Sequence, residues 1–339
     1  MNPDLLAFLR FHGFILYPGI PNTTAVTQET DQSYGPFQSA VRTNLQLIIE
    51  ERAADIGKFL VGRLLPFRQK RMIGPFIFID HMGPVKLNER EQMDILPHPH
   101  VGLSTLTFLF EGSIMHRDSL GTAIEIKAGA VNWMTAGKGI VHSERTPDHL
   151  RDSEKRLHGL QIWVALPKER EFMDPEFFHI EAHQIPTWTE GTAQVKLIAG
   201  EVMGHSSPVP VYSPLYMLEI KSQEKQTLNL GSSLFGESGL YILEGGIQSE
   251  GNHFGPKQIL VAKESSLCEF TIEADSTIYI FGGEAFPEER FIDWNFVATS
   301  KETLTAARQK WKNQEFEKIP GDSEDFVPYP SFQGNTSKF

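Results

Sequence analysis

Two short histidine patterns carry the chemistry of this chain. His98 and His100 alternate in Leu96-Pro97-His98-Pro99-His100, and His142 and Glu144 alternate in Gly139-Ile140-Val141-His142-Ser143-Glu144. Side chains two residues apart on a β-strand point to the same face. An H-x-H strand lying beside an H-x-E strand therefore gathers three imidazoles and one carboxylate at one point. Neutral imidazole and carboxylate suit a divalent transition metal such as Fe(II), Mn, Co, Ni, Cu or Zn, with positions left open for water, substrate or dioxygen. A single histidine is more often a surface group or a hydrogen-bonded core residue. The pairing of the two motifs favours one metal ion held by His98, His100, His142 and Glu144.

The elements that must position these residues read as short strands. Thr105-Leu106-Thr107-Phe108-Leu109-Phe110 and Ile124-Glu125-Ile126-Lys127 alternate, as half-buried strands do. Leu215–Ile220, Leu240–Leu243, Ile259–Val261, Cys268–Ile272 and Thr277–Phe281 are short apolar runs, most of them bounded by glycine turns. Many short strands at this spacing predict a sandwich or barrel. Phe110-Glu111-Gly112-Ser113-Ile114 is echoed by Leu243-Glu244-Gly245-Gly246-Ile247, which suggests a duplicated unit. In the second copy an ungapped offset sets Gly231 and Ser233 against His98 and His100, with His253 as the one nearby histidine. Only the first copy is then equipped for a metal. Near the end, Thr299-x-x-Glu302 fits a capping box, and Leu304, Ala307 and Trp311 fall on one helical face, with the pattern stopped by Pro320.

Other motifs carry less. Gly129 to Gly139 contains a Gly-Lys pair, but Asn132 stands where a phosphate loop needs its first glycine and Gly139 where it needs Ser or Thr. The segment reads instead as a glycine-bent connection that delivers His142 to its strand. Gly204-His205-Ser206-Ser207-Pro208 and Gly236-Glu237-Ser238-Gly239 both miss the nucleophile-elbow pattern. His116 is expected just past a strand, His149 on a loop and His158 at the start of an apolar strand. Phe108, Phe110, Trp133 and Trp163 are core candidates that could also line a cavity beside the metal.

Composition bounds the rest. The 339 residues are 40% hydrophobic, enough for one large or two smaller domains. Their 31 basic and 43 acidic side chains leave a formal charge of −12, which argues against direct nucleic-acid or anionic-membrane binding. The single cysteine, Cys268, rules out an intramolecular disulfide and Cys-based zinc sites, and reads as a packed small hydrophobe. No apolar run approaches the ~20 residues of a membrane helix. Met1 to Gly19 has Arg10 as its one Lys or Arg and shows no cleavage pattern. A cytoplasmic protein is predicted, with residues 1–44 a loose extension.

Several stretches carry a resemblance. Pro97-His98-Pro99-His100-Val101-Gly102, Phe110-Glu111-Gly112, the run from Trp133 to Glu144, and His158-Gly159-Leu160-Gln161-Ile162-Trp163-Val164 resemble, in order and spacing, the pirin family of the cupin superfamily. The likeness starts near Leu47 and fades in the second half. It implies an all-β bicupin: two stacked antiparallel β-barrels of the jelly-roll type with a C-terminal helix. The expected divisions are a 45–185 metal-binding domain, a 186–298 metal-free domain, and helix and tail over 299–339. The metal implied is most often iron, at His98, His100, His142 and Glu144. General cupin patterns place a glutamate shortly after H-x-H. Here Ser104 and Thr105 stand there, so the carboxylate must come from Glu144. Val101 and Ser104 bring the chain nearer the bacterial type.

Some pirins are quercetin 2,3-dioxygenases, and others resemble regulators that bind protein partners. The expectation is a monomeric metal-dependent dioxygenase acting with dioxygen on a flavonol-like aromatic. Glu144 would accept the substrate's enol proton, and ring opening with loss of carbon monoxide is what the resemblance implies. The alternative is a metal- or redox-sensing module read by a partner near Val101, Lys138 and Arg145. A third reading is a metal that only staples the first barrel.

Overall fold

A computed structural model describes residues 45–56, 60–230, 233–262 and 269–330. The expected extension over 1–44, Gly231 and Cys268 lie outside the described residues. The alternating segments form strands paired antiparallel into two sheet pairs. The first has a seven-stranded sheet ordered Glu176–Ile180, Val131–Thr135, Leu103–Glu111, Lys155–Ala165, Phe76–Leu87, Leu60–Leu65, Arg52–Asp55. Its partner is a four-stranded sheet ordered Ile95–His100, Ile140–Arg145, Ser113–Asp118, Ala123–Lys127. The second pair has a large sheet running Leu45–Glu50, Gln258–Ala262, Glu237–Glu244, Ser276–Gly283, Leu215–Ser222, Ala193–Val202, Thr187–Glu190. Its small sheet is Gln226–Asn229, Glu269–Ile272, Ile247–Ser249, Asn252–Phe254.

Alternation decides which core each residue joins. Met217, Tyr241, Tyr279 and Phe281 pack against Leu106, Phe108, Trp133 and Ile162, so the two large sheets share one apolar core. The intervening residues Tyr216, Leu218 and Ile220 join Leu228, Phe270 and Ile272 to fill the second pair from within. The first pair is apolar around Met82, Met93, Leu109, Ile114 and Ile126, and polar where the four-stranded sheet carries its histidines.

Two connections tie the pairs together. Strand Leu45–Glu50 precedes every strand of the first pair, yet it pairs with Gln258–Ala262 of the second. The next residue, Glu51, is shared: its Oε1 lies 2.7 Å from His81 Nδ1 and accepts a 2.5 Å hydrogen bond from the Tyr241 hydroxyl. At the other end, helix Lys301–Lys312 buries Leu304, Ala307 and Trp311, as their spacing predicts. It packs with Phe296 and Phe316 onto Val101 and Val141 of the first pair. The N-cap differs from expectation by one residue. Ser300 Oγ accepts from the Thr303 amide at 3.1 Å, whereas Thr299 gives its amide and hydroxyl to the buried Glu171 carboxylate at 2.8 and 3.0 Å. A tertiary acceptor thus takes Thr299 out of the capping role.

Removing the Tyr241 hydroxyl leaves the partly buried Glu51 carboxylate short of one donor. Tyr241→Phe is expected to cost ~1–3 kcal/mol, read as a lower urea midpoint with unchanged slope.

Candidate metal centre

The register between two strands builds the site. Ile140–Arg145 lies antiparallel to Ile95–His100, with His142 opposite His98 and Ile140 opposite His100. The three imidazoles each offer a nitrogen, all within 4.8 Å of one another. Past His142 the register slips, and Glu144 comes opposite Ile95. Its carboxyl stands outside that cluster, against the Thr107 hydroxyl of the facing sheet. The four sequence-selected residues therefore share one interior, but as three clustered histidines with a carboxyl beside them.

The glycines that flank these strands are required where they stand. Gly102 has φ +72°, and a Cβ there would lie 1.9 Å from the Val297 carbonyl oxygen. Gly139 has φ +138°, and a Cβ would meet the Phe316 ring at 2.5 Å. On the outer face of the His142 strand, Ser143 Oγ donates to Asp322 at 2.7 Å. The Arg145 guanidinium grips Asp322 at 2.8 and 2.6 Å and Asp325 at 2.8 Å. Two of the three residues expected to meet a partner are covered or engaged, while Lys138 stays exposed. Val101 is buried under the helix cluster, Arg145 is engaged by the tail, and Lys138 is paired with Asp174.

Burial governs the charge of the site. His98, His100, His142 and Glu144 are 8, 2, 2 and 5% exposed. Burial holds the His98 imidazole down to about 4, against a weaker upward pull from the Leu96 carbonyl. Burial and the neighbouring histidines push His100 and His142 well below the usual range. Burial lifts the Glu144 carboxyl to about 7, with Thr107 pulling the other way. The Thr107 hydroxyl already donates to Gln161 Oε1 at 2.9 Å and has only one proton to give.

This donor set fits a divalent metal. The imidazoles are neutral, as ligation requires. His98 Nδ1 donates to the Leu96 carbonyl at 2.8 Å, which leaves its Nε2 lone pair free. His100 Nδ1, His142 Nε2 and Glu144 Oε1 are buried without a hydrogen-bond partner, and unpaired buried polar atoms call for an explanation.

Other expectations change in place. His116 lies within strand Ser113–Asp118, buried, rather than just past a strand, and it contacts His142. The signal missed was His116-x-Asp118, which has the same alternation as H-x-E. Thr107, also missed, carried no motif. His158 is half-buried with Nε2 2.8 Å from His81 Nε2, and His149 is exposed. Phe108 and Trp133 belong to the core between the large sheets. Trp163 reaches the triad, 5.2 Å from His100, and Phe177 stacks on His116 at 4.5 Å. Cavities of about 540 and 460 Å³ lie elsewhere. Leu47, Ile48 and Phe254 line one, Glu51, Leu60 and Lys257 the other, and neither is lined by the triad.

Comparison with known proteins yields consistent matches. The Pirin family model matches residues 58–164, and the Pirin C-terminal cupin domain matches 217–317. A Pirin-like protein of Caulobacter vibrioides is 42% identical over 289 residues, spanning 84% of this chain and 99% of its own. A solved quercetin 2,3-dioxygenase of Acinetobacter baumannii is 33% identical with a TM-score of 0.77, covering 86% of this chain and 97% of its own. A second A. baumannii quercetin 2,3-dioxygenase is 26% identical with a TM-score of 0.72, covering 80% and 97%.

The metal-free chain should lose stability in acid. Unfolded histidine takes a proton near ~6.5, whereas folded His98 does so near 4. Between these values the unfolded chain binds more protons, so stability falls with pH. Glu144, raised to about 7, acts oppositely by a similar ~3 kcal/mol. His100 and His142 are pushed down as well, so three lowered groups oppose one raised group and set the net sign. The melting temperature of metal-free protein is expected to drop steadily from pH 6.5 to 4, and a flat profile would contradict this account.

Proposed function

We propose, on the premise that this chain belongs to the pirin family, that it is a metal-dependent dioxygenase acting on a flavonol-like aromatic substrate. The chain is mostly β, with two cupin-type domains and one C-terminal helix. The observation that carries the reading is the buried cluster of three neutral imidazoles with ligand atoms within 4.8 Å of one another. Its likeness to two quercetin 2,3-dioxygenases over most of both chains supports the substrate class.

His98, His100 and His142 would hold the metal, with Glu144 as the neighbouring carboxylate ligand or base. A bound Fe(II) or similar ion would supply Lewis acidity toward a substrate oxygen and a meeting place for dioxygen. The chain's own residues do the rest. Burial keeps the Glu144 carboxyl near neutrality in its proton affinity, the range a general base needs. Its unpartnered Oε1 can receive the substrate's enol proton. Thr107 and Gln161 orient the carboxyl from the facing sheet. Trp163 walls the triad with an apolar ring and excludes water.

One observation favours a second reading, a metal-sensing module without catalysis. The three histidines are buried, so a flavonol needs the sheet pair to open before it could reach a metal held there.

Oxygen uptake by Fe(II)-loaded protein on adding quercetin separates the two. Uptake is expected in the wild type and absent in His98→Ala, which should also lose metal. Glu144→Gln is expected to slow turnover by about 100-fold to 10,000-fold. Wild-type protein with iron bound and no uptake from quercetin or close analogues favours the sensing module.

A further inference from the structure

His116 and Asp118 alternate on Ser113–Asp118, the strand beside the one that carries His142. In that register Asp118 faces His142 and His116 faces Glu144, so all four side chains share the inner face. Asp118 is fully buried and anchored: its Oδ1 accepts the backbone amides of Leu120 and Thr122 at 2.9 and 3.0 Å. Its Oδ2 lies 3.1 Å from His116 Nε2. The His116 ring stacks on Phe177 with an interplanar angle of 19°, and its Nδ1 lies 3.4 Å from His142 Nδ1.

With both imidazoles neutral, these contacts have one consistent proton arrangement. A carboxylate only accepts, so His116 Nε2 carries the proton. The neutral ring then has a bare Nδ1, which accepts the proton on His142 Nδ1. The His142 lone pair is left at Nε2, the buried atom without a partner. We infer that Asp118 and His116 form a hydrogen-bonded wire that fixes the tautomer and orientation of His142, making both positioning residues for the metal. This rests on the reading of His142 as a ligand. Outer partners of this kind typically change metal affinity by about 10-fold to 100-fold.

The wire makes an unusual demand on substitutions. In Asp118→Asn the side-chain oxygen still accepts from Leu120 and Thr122, so the amide nitrogen faces His116 and donates. His116 Nε2 must then accept, and its proton moves to Nδ1, facing His142 Nδ1. The His142 proton is driven onto Nε2, where the metal should bind. His116→Phe instead keeps a ring on Phe177 and removes the wire, leaving both His142 tautomers open. The isosteric change should therefore harm metal binding more than the deletion, an order no packing role produces.

The test pairs nitrogen-15 NMR of the histidines in metal-free protein with cobalt(II) titration followed by absorption. The expected result is His142 protonated on Nδ1 in the wild type and on Nε2 in Asp118→Asn. Cobalt affinity should fall about 10-fold to 100-fold in Asp118→Asn and by less in His116→Phe. If wild-type protein binds one cobalt ion while Asp118→Asn keeps the wild-type tautomer and affinity, this inference alone is overturned. The same holds if His116→Phe loses as much affinity as Asp118→Asn. Wild-type protein that takes up no cobalt overturns the metal reading and this inference together.

Discussion

The pairing of Ile95–His100 with Ile140–Arg145 is the constraint on which the rest depends. A slip of one residue on either strand would turn its whole inward set to the opposite face. The register is held largely from outside. Val141 is covered by the C-terminal helix cluster, and Arg145 and Ser143 are held by Asp322. The tight turns at Gly102 and Gly139 are closed against Val297 and Phe316. Asp322, nearly 180 positions further along the chain, therefore supports the strand that carries His142 from its outer face. The inward imidazoles and the outward tail contacts are the two faces of one alternation.

Keeping three imidazoles dry has consequences for charge. Desolvation disfavours the charged forms, so the histidines stay neutral and the Glu144 carboxyl holds its proton more tightly. Each unpaired buried nitrogen or oxygen costs roughly 1–3 kcal/mol in a folded chain without a metal. The site is thus a place where the fold gives up stability to hold lone pairs pointing inward. The Leu96 carbonyl on His98 and His116 on His142 engage the opposite ring nitrogens and decide which lone pairs those are.

The second sheet pair meets the same geometric frame with different contents. Its interior is filled by Tyr216, Leu218, Ile220, Phe270 and Ile272, where the first carries histidines, Thr107 and Gln161. Apolar filling stabilises through burial, and the apolar core between the large sheets joins the two pairs broadly. The exchanged strand Leu45–Glu50 and the contacts of Glu51 with His81 and Tyr241 add a directional tie to that non-directional one.

The sequence by itself determined the strand-rich fold class and that His98 shares a strand face with His100, as His142 does with Glu144, because period-two alternation is a local property. The face of the C-terminal helix was legible for the same reason in its 3.6-residue period. Tertiary structure decided what local patterns cannot encode. It slipped the register past His142, so Glu144 stands beside the triad rather than within it. It gave Thr299 to Glu171 and left the cap to Ser300, and it drew Leu45–Glu50 into the second pair. It also brought Asp118 and His116 up to His142, a contact set by which strand lies next to which. Alternation assigns a side chain to a face, but only the neighbouring strand and its register decide what that face meets.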